Sequence, residues 1–153
     1  MGSGRITKMI VRGLDALTNL AGKRSDRAAH LETGVRGEEE AYFYLRRQGY
    51  TIVARNYRSP KRKGELDLVG WDGDVLCFIE VKTRTTRDVK PAEAAVDQEK
   101  QRDLIAVARE YLRRQPKEAS HRFDVVSVYY DQTEPEIALI KNAFSPVEVF
   151  SRR

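Results

Sequence analysis

Cysteine and histidine are nearly missing, with one cysteine and two histidines in 153 residues. A single cysteine rules out a disulfide framework. Cys77, His30 and His121 are too few and too scattered for a standard zinc site. Cys77 also falls inside an apolar strand pattern, where a thiol packs rather than reacts. No run of about 18 apolar residues occurs, so no spanning helix is expected, and no signal-peptide core is evident. A cytoplasmic protein is the expectation. What the chain does have is charge: 33% charged residues beside 41% hydrophobic ones, the balance of a globular protein with one real core.

The net charge is +5, and most of it lies at one end. Arg5, Lys8, Arg12, Lys23, Arg24 and Arg27 stand against Asp15 and Asp26 up to residue 31, a local balance of +4. A basic balance points to a polyanionic partner. Here it belongs chiefly to an N-terminal arm.

Ile6, Met9, Ile10, Gly13, Leu14, Leu17 and Leu20 recur at three- and four-residue intervals and predict an amphipathic helix. Such a helix packs on the domain, on a second subunit, or on a membrane surface. The polar residues 22–33 read as a linker, so residues 1–33 form an arm and 34–153 the main domain. A second helix is expected from Val35 to Gln48, stopped by Gly49. The β-rich residues 50–57 predict a first strand. A loop with Arg58, Lys61, Arg62 and Lys63 follows, either merely solvated or able to grip phosphates. Residues 83–91 read as a basic loop carrying Arg84. A long helix is then expected from about residue 92 or 96 to Arg114, with Lys100 and Gln101 in its early turns and Pro116 marking its end. Strands over 122–130 and 136–141 complete the pattern, with a short apolar tail over 144–150. The order helix, three strands, helix, strand, strand describes an α/β fold with a mixed central sheet, its third and fourth strands parallel.

The chain is organised around residues 64–84, two strands joined at Asp72, Gly73 and Asp74. Alternation puts Glu65 and Asp67 on one face of the first strand, and Glu80 and Lys82 on one face of the second. If those faces coincide, Asp67, Glu80 and Lys82 stand together. Two carboxylates beside an ammonium suit a hard divalent cation, with the lysine placed to orient or activate a water. Alternating charges on a half-exposed strand are ordinary solvated pairs as well. The apolar run from Val75 to Val81 weighs against that reading, because charges at the edge of a core are costly unless paired or metal-bound.

The chain resembles the YraN-like family of bacterial proteins, which is regarded as related to archaeal Holliday-junction resolvases within the PD-(D/E)xK nuclease superfamily. The resemblance rests on Gly37-Glu38 with Ala41, residues 55–58 (Arg-Asn-Tyr-Arg), residues 64–68 (Gly-Glu-Leu-Asp-Leu), residues 80–84 (Glu-Val-Lys-Thr-Arg) and residues 122–126 (Arg-Phe-Asp-Val-Val). It spans about residues 35–141. The proline of the superfamily motif is absent, and Glu65-Leu66 precede Asp67 instead.

The resemblance implies a restriction-endonuclease-like core of helix, three strands, helix and strand. It implies a catalytic set of Glu38, Asp67, Glu80 and Lys82, in which Asp67, Glu80 and Glu38 hold Mg²⁺ or Mn²⁺ and the Val81 carbonyl is a further donor. Lys82 would activate the attacking water, and Arg58, Lys61, Arg62, Lys63, Arg84 and Lys100 would meet phosphates. The implied activity is metal-dependent hydrolysis of DNA, branched DNA included, by a homodimer, with RNA left open as a partner. The competing reading from another class is a nucleic-acid-binding module of the same fold without turnover.

Overall fold

The computed structural model describes the backbone of residues 3–86, 96–116 and 119–146, and side chains from residue 20 onward within them. The chain packs as two compact units, residues 1–35 and 36–153. A single helix, α1 (Ser3–Arg47), begins in the first and ends in the second.

The linker expected over residues 22–33 is therefore helical. Ala21, Ala28, Ala29 and Leu31 are strong helix formers and no proline interrupts them. Together they outweigh the cost of about 1 kcal/mol at each of Gly22 and Gly34. Polarity all round this stretch, whose side chains are mostly exposed, mimics a linker in a pattern search. The apolar stripe expected over residues 6–17 lies outside the described side chains; Leu20, its last member, is exposed.

α1 stops where Gly49 takes φ +93. Tyr50 N–H donates to the Leu45 carbonyl at 3.0 Å and Gly49 N–H to that of Arg46 at 3.1 Å, the paired bonds of a Schellman stop. Five strands follow the helix: β1 (Thr51–Arg58), β2 (Glu65–Asp72), β3 (Val75–Arg84), β4 (Ser120–Tyr129) and β5 (Glu136–Phe144). The helix α2 (Gln98–Leu112) lies between β3 and β4. The sheet order is β1-β2-β3-β4-β5, with β3 and β4 parallel and the other pairs antiparallel. This is the mixed α/β fold expected, with the element order of a restriction-endonuclease-like core.

Gly73, at φ +59, turns β2 into β3 so that Asp72 faces Val75 across the hairpin. Alternation along the strands then separates two apolar clusters. Val69, Leu76, Phe78, Phe123 and Val125 pack with Leu104, Ile105, Val107 and Ala108 of α2. Leu68, Cys77, Ile79, Val81, Val126 and Val128 pack with Ala41 and Leu45 of α1. Cys77 is a buried free thiol whose pKa burial pushes up to about 12, as its packing role predicts.

α2 starts at Asp97, whose carboxylate caps the helix by accepting the Lys100 N–H at 2.8 Å. It ends at Leu112, short of Arg114. The final strand runs three residues past its expected end and takes in Phe144, which is buried in the α2-side cluster. Of the basic loop expected over 83–91, Thr83 and Arg84 belong to β3; residues 87–91 and the end of the tail lie outside the described residues.

Candidate functional site

Strand register assembles the site. Leu68 pairs with Ile79 and Arg55 with Leu68. Continuing these registers by one residue puts Asn56, Asp67 and Glu80 in one row across β1, β2 and β3. The β2–β3 ladder ends at the Leu68 pair, and beyond it a side chain takes over from backbone: Asp67 Oδ2 accepts the Val81 N–H at 2.8 Å. That bond fixes the carboxylate beside Glu80.

Glu80 is 4% exposed, at the margin of the core. Its Oε1 faces two ammonium groups, Lys82 Nζ at 2.9 Å and Lys100 Nζ at 3.6 Å. Its Oε2 is buried with no hydrogen-bond partner among the described residues. A buried carboxylate oxygen left unpaired costs on the order of 1–3 kcal/mol or more, so the arrangement is frustrated as it stands. The frustration extends to Asp67. Loss of solvent and then the Glu80 charge raise its pKa to about 8, against the opposing pull of the Val81 N–H and the Lys100 charge. A buried carboxyl whose pKa is raised by a neighbouring carboxylate, with cations beside the pair, is the kind of group that clusters at functional sites.

Glu38 reaches the same end of the sheet from α1 because Gly37 lets the helix approach β3. A Cβ on Gly37 would fall 1.9 Å from Thr83 Oγ1. Glu38 does not join Asp67 and Glu80 in a closed cluster. With its amide turned to satisfy its neighbours, Asn56 donates to Glu38 Oε2 at 3.0 Å and to Glu65 Oε1 at 2.9 Å. Asn56 does so from φ +49, a backbone state that asparagine tolerates better than most residues. Burial, and next the Glu65 charge, push the Glu38 pKa up.

Among the described residues no three His, Cys, Asp or Glu side chains stand together as a metal-binding group. The residues nonetheless fit a divalent ion of the magnesium kind, which is held through one or two protein carboxylates with water and phosphate oxygens completing its shell. Asp67 and the orphaned Oε2 of Glu80 are such donors.

The expected phosphate-binding residues divide. Lys100 joins the site itself, on Glu80. Arg58 pairs with Glu65. Lys63 leans across to α2, with Nζ 3.8 Å from Glu99 and 3.9 Å from Asp103. Lys61 and Arg62 are exposed. Arg84 closes β3 with its Nε buried and without a hydrogen-bond partner among the described residues. Lys63, Gly64, Asp97, Glu99, Lys100 and Asp103 line an open cleft of about 340 Å³, so Lys100 connects the carboxylates to a groove between the β1–β2 loop and α2.

A second polar group was not anticipated as a unit. Arg122 donates to Asp124 through Nε, at 2.9 and 3.1 Å, and through Nη2 to Asp72 at 2.6 Å and Tyr50 at 2.9 Å. Lys141 Nζ bonds Asp72 at 2.8 Å, and the Asn142 N–H bonds Asp124 at 2.9 Å. The sequence signal for it was an arginine and an aspartate at alternate positions of an otherwise apolar strand.

No helix among the described residues is long and apolar enough to cross a membrane. Residues 37–128 match the uncharacterised protein family UPF0102. The chain is 56% identical over 138 residues to a UPF0102 protein of Koribacter versatilis, covering 90% of this chain and 94% of that one. It is 50% identical over 109 residues to a UPF0102 protein of Solibacter usitatus, covering 71% and 82%. To one of Geobacter metallireducens it is 42% identical over 112 residues, covering 72% and 90%. The matched span runs from Gly37, where α1 meets β3, through the whole of the Asp67–Glu80–Lys82 hairpin to Val128 of β4, and the chain belongs to this family, the YraN-like family UPF0102.

Proposed function

We propose that the protein is a metal-dependent endonuclease that hydrolyses DNA phosphodiester bonds, branched and junction structures included. The observation that carries this reading is the buried, unpartnered Oε2 of Glu80 beside Asp67, a pair that a divalent cation would satisfy. Asp67 and Glu80 would hold Mg²⁺ or Mn²⁺, with Glu38 and the Val81 carbonyl as further oxygen donors at the same end of the sheet. Bound there, the ion supplies Lewis-acid polarisation of the phosphoryl group and favours deprotonation of the attacking water.

The chain's own residues do the rest. Lys82, 28% exposed and held on Glu80 Oε1, projects an ammonium toward solvent where it can orient a water for in-line attack. Lys100, also on Glu80 and 35% exposed, lines the open cleft and can balance charge building on the phosphate. The Val81 N–H holds the Asp67 carboxylate in place, so that no reorganisation is needed when substrate arrives.

One observation favours a second reading, a DNA-binding module of the same fold without turnover: Asn56 engages Glu38, and no closed cluster of three acids forms among the described residues. Cleavage of end-labelled linear, flapped and four-way-junction DNA with Mg²⁺ or Mn²⁺ separates the two. Cutting that needs the metal and disappears in both Asp67→Ala and Glu80→Ala establishes the nuclease. Binding without cutting by all three proteins supports the module. Neither cutting nor binding removes both readings.

A further inference from the structure

Beside the carboxylates lies a surface feature that neither the fold nor the proposed chemistry requires. Glu38, Tyr42 and Arg46 recur at four-residue intervals on α1, so one helix face leads away from the site in steps of about 6 Å. Tyr42 has two guanidinium groups close to its ring. Arg55 of β1 stands 4.7 Å from its ring centroid. Arg46 stands 5.8 Å from it and donates to the Tyr42 hydroxyl at 3.1 Å. Phe43 meets the Tyr42 ring edge to face at 5.2 Å and is itself 48% exposed.

The patch is tied to the site by more than helical spacing. Arg55 precedes Asn56, the residue that engages Glu38, and the Arg55 charge acts on the Glu38 carboxyl. Arg46 and Arg55 are both exposed.

The exposed Phe43 ring beside a half-buried Tyr42, interleaved with guanidinium groups, matches a ligand that offers flat π-faces linked by negative charge. Nucleobases joined by phosphates are that ligand, and stacking on aromatics tolerates any base. In a duplex the base faces are already stacked on one another, so only unpaired nucleotides can use the platform. A second copy of the chain fits poorly: a two-fold contact through this patch would bring Arg46, Arg47 and Arg55 against their own counterparts.

We infer that Tyr42, Phe43, Arg46 and Arg55 form a stacking platform for unpaired bases of single-stranded DNA, so that a single-stranded segment of the substrate is the part held beside the carboxylates. This rests on the nuclease reading for the class of ligand and extends it to the state of the strand.

Binding measured in EDTA tests the platform without calling on cleavage. Fluorescence anisotropy is recorded for a labelled single strand and its matching duplex, with 2-aminopurine placed in a second copy of the strand to report stacking. The wild-type protein is expected to prefer the single strand and to quench 2-aminopurine. Phe43→Ala, at an exposed position where the core is untouched, should weaken single-strand binding about tenfold and duplex binding by less than about twofold. Phe43→Trp should retain both affinity and quenching. Arg55→Ala should weaken both DNA forms and lower the salt slope by about one.

Single-strand affinity unchanged in Phe43→Ala, or binding without quenching, overturns the platform, and it leaves the nuclease reading intact if cleavage still depends on Asp67 and Glu80. No binding of either DNA form in EDTA overturns the platform, and the nuclease reading falls with it only if cleavage with Mg²⁺ or Mn²⁺ is absent as well. A dimer that Phe43→Ala dissociates while DNA binding is unchanged would assign the patch to self-association and overturn the inference. So would a clear preference for RNA of the same sequence.

Discussion

At one end of the sheet Arg122 divides its guanidinium among Asp124, Asp72 and Tyr50, Lys141 joins Asp72, and both Asp124 oxygens are bonded. At the other end Glu80 holds two lysines on one oxygen and leaves its second oxygen buried and alone. Asp67 and Asp72 stand five positions apart on the same strand, about 17 Å, yet their carboxyls respond in opposite ways. Hydrogen bonds from Lys141 and Arg122 hold Asp72 below the usual carboxylate range, whereas burial and Glu80 drive Asp67 above it. Buried polar groups that are fully satisfied specify a fold. Those left unsatisfied mark where the fold has been bent to another purpose. On this contrast the Arg122 group reads as structural, and the Glu80 group is the one we propose as the site.

The largest effect that could break this contrast is on stability. Asp124→Ala strips Arg122 of its main partner and orphans the Asn142 N–H, and should cost about 3–5 kcal/mol, read from urea denaturation. A loss below about 1 kcal/mol would deny the network its structural role. Glu80→Gln, by contrast, should leave the urea midpoint unchanged or higher while cutting cleavage at least about a hundredfold, measured in single-turnover assays with Mg²⁺. If it unfolds the protein, Glu80 belongs with the structural group.

Gly37→Ala tests how the helix delivers Glu38. Its Cβ would overlap Thr83 Oγ1, so a net loss of about 1–2 kcal/mol is expected despite the better helix propensity of alanine. Thr83→Ala in the same chain should recover part of that loss.

The smallest effect concerns pH. The folded-state pKa of Asp67 is raised from 3.8 to about 8, so the fold favours its protonated form. Its contribution to stability is full below about pH 4 and is lost as pH rises through about 8. Asp67→Asn, which keeps an acceptor for the Val81 N–H, should therefore melt roughly 2–4 °C above the wild type at pH 8.5 and show no gain at pH 4. Asp72 has the opposite sign: its stabilisation is present above its unfolded value and lost as pH falls through its lowered folded value. Asp72→Asn should then melt below the wild type at neutral pH. Melting curves of both variants across pH decide the pair of signs.

How much of this was legible in the sequence follows from how local each feature is. The Asp67–Glu80–Lys82 grouping could be read because alternation and a two-residue turn at Gly73 fix which side chains share a face. The parallel pairing of β3 and β4 followed from the helix between them. Lys100 was placed near phosphate but not on Glu80, because helix position alone does not give the approach of α2 to β3. Asn56 was seen only as part of a motif; its bonds to Glu38 and Glu65 depend on a positive φ that the sequence does not announce. The Arg122 network joins residues 50 to 74 positions apart, beyond any periodicity. The continuity of α1 was missed because a helix exposed on all sides has no apolar stripe to reveal it.

The most direct test of the contrast between the two ends is Mn²⁺ binding followed by electron paramagnetic resonance, comparing the wild type with Asp67→Asn, Glu80→Gln and Asp72→Asn. The account predicts one saturable site in the wild type, lost in Asp67→Asn and Glu80→Gln and kept in Asp72→Asn. Mn²⁺ left unbound by the wild type, or bound equally by all four proteins, would contradict it.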